Sequence, residues 1–261
     1  MKNMKKIVCL LMVTFLFQTV ANAQKSPFKD GEKLVFTASY KMSGFLTDLA
    51  QVTMETSEVK TSSNNLYHFK CRASTFRKYD FFFKIRDVYE SYVSKSSLVP
   101  ALYKRDIHEG SYKKKMKYVY NHKKKIIKSQ QTKRRADGTD WVVNKSFGFS
   151  NGAMDVISTL YNVRNLPIEN AATGDSKVFK IIFDKEETAV TLKFAGKESI
   201  NVAALGQKEC YKLKIITSGD FLKAATIWVT ADANKIPVKV EFTIPIGSGM
   251  LQLTEASGLA N

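Results

Sequence analysis

Histidine, cysteine and proline are scarce in this 261-residue sequence, at three, three and five residues. His68, His108 and His122 fall on different expected strands or turns, too few and too scattered for most hydrolytic or metal sites. No H-E-x-x-H, C-x-x-C, G-x-S-x-G or phosphate-cradling glycine loop is present. No cofactor is therefore expected. Beyond the first 23 residues no stretch approaches the ~20 apolar residues of a transmembrane helix, so no membrane-spanning anchor is expected. Acidic residues are also short: 24 stand against 41 Lys and Arg, a net charge of +17.

What is there begins with a leader. Lys2, Lys5 and Lys6 precede an apolar run from Ile7 to Val20, and Ala21-Asn22-Ala23 is a small-residue cleavage signal before Gln24. Cys9 sits inside the apolar run, with apolar residues still to come, which makes it a poor lipid acceptor. The expectation is a protein exported to the periplasm, with secretion as the alternative. Residues 24–261 are then one β-rich domain, since no linker or internal repeat divides them. Removing three leader lysines leaves 38 basic residues against 24 acids, near +14. That balance suits anionic lipid, lipopolysaccharide or acidic glycan, and export argues against nucleic acid. A monomer is expected. Cys71 and Cys210 remain, and an oxidising compartment permits a bridge between them, two buried free thiols being the alternative.

The most regular stretch is Ile227 to Ser248. Ile227, Trp228 and Val229 are strand formers, Ala231-Asp232-Ala233-Asn234 has turn chemistry, and Val238, Val240 and Phe242 alternate with polar residues. Similar alternation recurs from Leu34 onward at intervals near 8–12 residues. Residues 112–120 and 124–132 read as a hairpin, 141–143 as a short strand, and 188–194 and 200–204 as two strands separated by Ala195-Gly196. The fold class implied is all-β and mainly antiparallel, an open or flattened barrel or sandwich of many strands. The single helix expected is Gly152 to Arg164, capped by Asn151, with Met154, Ile157, Leu160 and Tyr161 on one face, and it should cap the sheet.

Several stretches together resemble an exported bacterial family of unknown function, DUF family 3108. They are Phe28, Gly31-Glu32, Leu34 and Tyr40; Glu109 and Tyr112; Asp155, Ser158, Tyr161 and Arg164; Gly206 and Cys210; Trp228, Thr230, Asp232, Ile236-Pro237-Val238 and Gly247-Ser248. The resemblance spans most of residues 24–261. It implies a β-rich exported domain with the open-barrel architecture of YmcC-like exported proteins, and it implies no activity. The lysine density between residues 113 and 128 departs from that pattern.

Two sets of residues could carry a function. Lys113, Lys115, Lys123, Lys124, Lys125, Lys128, Arg134 and Arg135 lie in a stretch without an acid before Asp137, interleaved with Tyr118 and Tyr120. Pairing of the hairpin should gather these cations at one end of a ribbon and on part of one face, for contact with an anionic surface. Lysine protection of an edge hairpin is the bland alternative. Phe81, Phe83, Tyr89, Trp141, Tyr161 and Trp228 could line a cavity. His108-Glu109 reads as an exposed polar pair at a strand end. Asp155, Ser158 and Asn162 read as the solvent face of the helix, and Arg164 as the structural partner of an acidic strand residue. The leading expectation is a non-enzymatic binding or carrier module for a lipid, lipid-linked glycan or envelope polymer. An envelope scaffold acting through its basic surface is the alternative, and an uncharacterised hydrolase the second.

Overall fold

The structure, a computed structural model, describes residues 26–261 apart from 43, 63, 82, 136, 218–223 and 246. The expected leader with Cys9, and the expected turn at 218–220, lie outside the described residues. Fifteen strands form one continuous sheet. In chain order they are β1 (Lys33–Met42), β2 (Phe45–Lys60), β3 (Asn65–Thr75), β4 (Arg86–Ser94), β5 (Pro100–Glu109), β6 (Tyr112–Asn121), β7 (Ile126–Arg134) and β8 (Asp140–Gly148). After β9 (Ala153–Met154) and helix α1 (Val156–Arg164) come β10 (Ser176–Phe183), β11 (Glu186–Val202), β12 (Gly206–Thr217), β13 (Ala224–Thr230), β14 (Pro237–Ile244) and β15 (Gly247–Ser257).

Two meanders meet in the middle of the sheet. β8 to β1 run in reverse order, β1 pairs with β15, and β15 to β9 continue outward. Every pairing is antiparallel except the short β9–β10 contact. The sheet stays open, with β8 and β9 as its edges, yet only residues 149–152 separate them in the chain. Curling follows from contacts between distant strands: α1 touches β3 and β4 on one side and β10 on the other. Strand identity follows the period-2 pattern. On β6, Met116, Tyr118 and Tyr120 are buried while Lys115, Lys117 and Val119 are exposed.

Three expectations need correction. β11 is one strand, not two: a bulge between Phe194 and Lys197 absorbs Ala195-Gly196, with Gly196 at φ +100°. β8 is nine residues long and continues well past Val143. Helix α1 starts four residues later than the periodicity suggests. Gly152 turns left-handed at φ +78°, Ala153 and Met154 join the sheet, and Asp155 is the N-cap. Its carboxylate accepts the Ser158 amide at 2.8 Å.

The helix is also not half-solvated. Asp155 and Ser158 are fully buried, and Asn162 donates to the Leu98 carbonyl at 3.2 Å. The stripe that reads as a solvent face is therefore the polar seam by which α1 docks inside the curl. Ser91 of β4 donates to Asp155 at 2.8 Å, and Thr56 of β2 donates to the Tyr161 hydroxyl at 3.1 Å. A nine-residue helix is too short to persist alone, so this docking holds it. The Tyr161 ring stacks on Phe69 at 3.6 Å and meets Phe28 edge-on at 5.1 Å. Such pairs contribute ~0.5–1.5 kcal/mol each beyond burial.

Arg164, at the last turn, is 1% exposed and forms a two-pronged pair with Glu32, also 1% exposed, at 2.5 and 2.8 Å. It also donates to the carbonyls of Pro27 and Asn234. One guanidinium thus ties the N-terminal segment, the helix and the β13–β14 turn. That turn is closed by Asp232, whose carboxylate accepts from the Thr230 hydroxyl and the Asn234 amide at 2.7 and 3.0 Å. Cys71 and Cys210 are free thiols, so no bridge joins them.

Candidate functional site

The lysine-rich hairpin exists, but its surroundings differ from the expectation. β6 pairs with β5 as well as β7, and β8 pairs along the whole of β7. The hairpin is therefore interior to the sheet, and lysine protection of an edge does not explain it. Nor do its cations gather at one end. Lys123, Lys124 and Lys125 occupy the β6–β7 turn, where Lys125 sits at φ +55° and donates to Asn151 at 2.7 Å. Lys113, Arg134 and Arg135 lie at the opposite end, about 23 Å away at ~3.3 Å per residue over seven steps.

What the register does gather is an outward face. Lys113, Lys115 and Lys117 of β6, Lys128 and Arg134 of β7, and Lys104 of β5 alternate with inward residues and share that face. Lys104 stands directly opposite Lys117. Acids on the same face are Asp106, which meets Lys115 at 3.2 Å, Glu90, and Asp140 opposite Arg134. An open groove of about 420 Å³ runs here between Lys117 and Lys128, with Gln130, Asn144 and Ser146 in its lining. Tyr118 and Tyr120, read as interleaved with the lysines on the surface, are buried on the inward face.

The aromatic set does not converge on a cavity. Phe81 is 89% exposed, and Phe83 and Trp141 are also exposed. Tyr161 belongs to the helix seam. Tyr89 lies half-buried on the inward face of β4, where burial first, then Asp87, pushes its hydroxyl up to about 12. Trp228 is buried, donates to Glu198 at 3.0 Å, and carries the ammonium groups of Lys212 and Lys239 over its ring at 5.2 and 4.7 Å. Chemical type alone grouped these rings; the register separates them.

The pattern reading missed Asp87 and Arg105 among the inward polar groups of β4–β7, and took His108-Glu109 for an exposed pair. Asp87 and Glu109 lie close enough at the end of β4–β5 for each to act on the other's carboxyl. Burial raises both carboxyls, and Asp87 raises Glu109 further. His108 donates its amide to Asp87 and meets Asp106 through Nε2 at 2.8 Å. Arg105 is buried and pairs with Asp184, which also accepts from Lys114 at 2.8 Å. Asp184 is on the β10–β11 turn, so this contact crosses the mouth of the curl. Burial opposes its charge, but Lys114 and Arg105 prevail and hold its carboxyl below the ordinary range. The signal in the sequence was the inward parity of Asp87, Tyr89, Arg105 and Glu109, visible only once the buried face was known. Among the described residues no group of three or more His, Cys, Asp or Glu is arranged to hold a metal, and no helix is long and apolar enough to cross a membrane.

Comparison with solved structures finds a crystal structure of a beta-barrel-like protein of a domain of unknown function, DUF1849, from Brucella abortus. It superposes with a TM-score of 0.58 at 6% sequence identity, over 88% of this chain and 98% of that one. The likeness is one of fold: a long, mostly antiparallel, barrel-like sheet. Comparison with curated proteins finds no match. A family model described as "Protein of unknown function (DUF3108)" matches residues 35–254, most of the length of the sheet, and the chain belongs to that family.

Proposed function

We propose that the protein is a non-enzymatic binding domain of the cell envelope whose outward face on β5–β8 holds phosphate-bearing lipid or glycolipid head groups. The observation that carries this reading is the placement of like charges across neighbouring strands. Lys104 opposite Lys117, flanked by Lys113, Lys115 and Lys128, costs the sheet stability on its own. A partner of opposite charge offsets that cost. The groove between Lys117 and Lys128 combines cations with the amides of Gln130 and Asn144 and the Ser146 hydroxyl, a set suited to phosphate beside sugar hydroxyls. The leader at residues 1–23 supports a periplasmic location, and the head groups named here are found on that side of an envelope. A carrier with an aromatic cavity loses its support, because the rings expected to line it are scattered.

Co-sedimentation with vesicles of phosphatidylglycerol, with and without lipopolysaccharide, at low and high salt tests the proposal. Exposed charges act over ~8 Å at physiological ionic strength, so binding should weaken steeply with salt. Replacing Lys113, Lys115, Lys117 and Lys128 with Gln removes four contacts of ~1 kcal/mol each, a loss of about a thousandfold. Replacing Lys123, Lys124 and Lys125 in the turn should cost much less. Equal losses from the two sets, or no binding by the native chain at low salt, would reject the outward face as the site.

A further inference from the structure

The two ends of the curled sheet carry different residues. Strand order places the β1–β2, β3–β4, β5–β6, β7–β8, β10–β11, β12–β13 and β14–β15 connections at one end, the mouth of the curl. Helix α1 docks toward the other end, through Leu98, Pro27 and Asn234. Among the described residues all six exposed aromatic rings are at the mouth: Phe45, Phe81, Phe83, Tyr112, Trp141 and Phe183. Phe81 and Phe45 are 89% and 79% exposed, so they project rather than pack. The far-end turns at 61–64 and 122–125 are built from Thr, Ser, Asn, His and Lys instead. A monomer rarely gathers its exposed apolar surface in one place without a use for it.

The rings are held in place by backbone. The loop that presents Phe81 and Phe83 is tied to β2 where the Phe76 amide donates to the Leu49 carbonyl at 2.9 Å. It is tied to the β5–β6 turn where the Gly110 amide donates to the Lys84 carbonyl at 2.8 Å, two residues from Tyr112. Phe45 opens β2, Trp141 is the second residue of β8, and Phe183 closes β10 with its ring 4.3 Å from the Arg105 guanidinium. Cations stand between them. Lys41, Lys78, Lys84, Arg134 and Arg135 are exposed at the same end. Two acids of that end are already engaged, Asp80 by Arg86 and Asp184 by Arg105 and Lys114, while Asp137 and Asp140 offset part of the charge on the β7–β8 turn.

We propose that the mouth of the curl is a membrane-docking rim, whose aromatic tips enter the interfacial layer of an anionic bilayer while the cations between them meet its phosphates. Two observations choose this partner over a folded protein. The rings sit on separate turns, and from β2 to β8 the rim runs six strand steps, ~29 Å at ~4.8 Å each. A protein partner would need one continuous complementary surface there, whereas a fluid interface accepts separated tips. Aromatic rings interleaved with Lys and Arg are also the composition that suits the boundary between head groups and acyl chains. The rim works by burying apolar rings, which salt does not screen, so it is distinct from the outward lysine face and does not rest on it.

Vesicles of phosphatidylcholine and phosphatidylglycerol, plain or brominated along the acyl chains, test this with the full chain at low and high salt. Trp141 is on the rim, and the other tryptophan, Trp228, is buried beneath Lys212 and Lys239. Brominated chains should quench the native emission, and in Trp141→Phe the remaining emission should be indifferent to them. Phe45→Ser with Phe81→Ser removes the two most exposed rings and should weaken binding about a hundredfold at either salt, about tenfold for each ring. Both positions are at the surface, so circular dichroism should show the native fold. The Lys113, Lys115, Lys117 and Lys128 to Gln variant should lose binding at low salt and keep the salt-resistant remainder with its quenching. A loss confined to the lysine variant, with the double serine variant binding as the native chain does, would reject the rim and keep the outward face. The reverse would reject the outward face and keep the rim. Absence of salt-resistant binding by the native chain, or bound protein whose Trp141 is not quenched, also overturns the proposal.

Discussion

Glu32→Gln would test how the curled sheet is held shut around its helix. The substitution keeps shape and an acceptor oxygen but removes the charge facing Arg164. Arg164 is 1% exposed, so solvent cannot replace the lost carboxylate. It keeps the Pro27 carbonyl at 2.7 Å and the Asn234 carbonyl at 3.0 and 3.2 Å, and these soften the loss without neutralising the cation. Removing one partner of a buried pair costs ~3–5 kcal/mol, against ~5–15 kcal/mol for the stability of a whole domain. With a urea dependence of about 3 kcal/mol per molar, the unfolding midpoint should fall by about 1–2 M. The double change Glu32→Leu with Arg164→Met should recover most of that loss, because it removes both desolvation penalties. Urea unfolding followed by tryptophan fluorescence and circular dichroism reads the native chain and both variants. A loss below about 1 kcal/mol in Glu32→Gln, or a double variant less stable than Glu32→Gln, would refute the claim that this pair clasps three segments together.

Asp155 gives a pH test: burial, opposed by the Ser158 amide and Ser91 hydroxyl, raises its carboxyl from 3.8 to about 6. Between those values the folded chain binds more protons than the unfolded one, so this residue's contribution to stability falls as pH rises from about 4 to about 6. The difference, 6 minus 3.8, corresponds to about 3 kcal/mol, and Asp155→Asn should flatten that part of the profile while still capping α1; matching profiles for the two chains would count against it. Trp228→Ala should cost ~3–5 kcal/mol because the ring is buried, and a loss under 1 kcal/mol would place it at the surface. Burial pushes the thiols of Cys71 and Cys210 up to about 12 and about 11, so both should resist alkylation until the chain unfolds. Rapid labelling of either in the native state would contradict that burial.

Much of the strand content was legible because it rests on a local rule. Alternation on β6, β13 and β14 shows in the order of residues, and turn chemistry at Asp232–Asn234 marks where the chain reverses. The helix was legible as an object but not as a site. Its boundary shifted because Asp155 is a better cap than Asn151 once Gly152 turns left-handed. Its polar stripe turned inward because Ser91 of β4 and Leu98 of the β4–β5 loop supply partners distant in sequence. The residues that carry the family resemblance include Glu32, Asp155, Ser158, Tyr161, Arg164, Thr230 and Asp232, and in the fold they hydrogen-bond within one scaffold. The candidate sites were less legible. Lysines 113–128 stand out in composition, yet which of them share a face depends on parity within each strand and on the register against β5 and β8.

The sequence by itself determined the alternation that makes strands, the turns that separate them and the excess of basic charge. Each is a property of residues a few positions apart, so local sterics and hydrophobic periodicity are enough to set it. Only the tertiary structure decided that β15 closes onto β1, that the helix lies within the curl, that Arg164 meets Glu32 across 132 positions, and that Asp184 reaches Arg105 across 79. Those contacts join groups whose separation along the chain carries no local signal. They form because burying one charge or one polar face requires a partner, and the partner is whichever residue the sheet brings to that place.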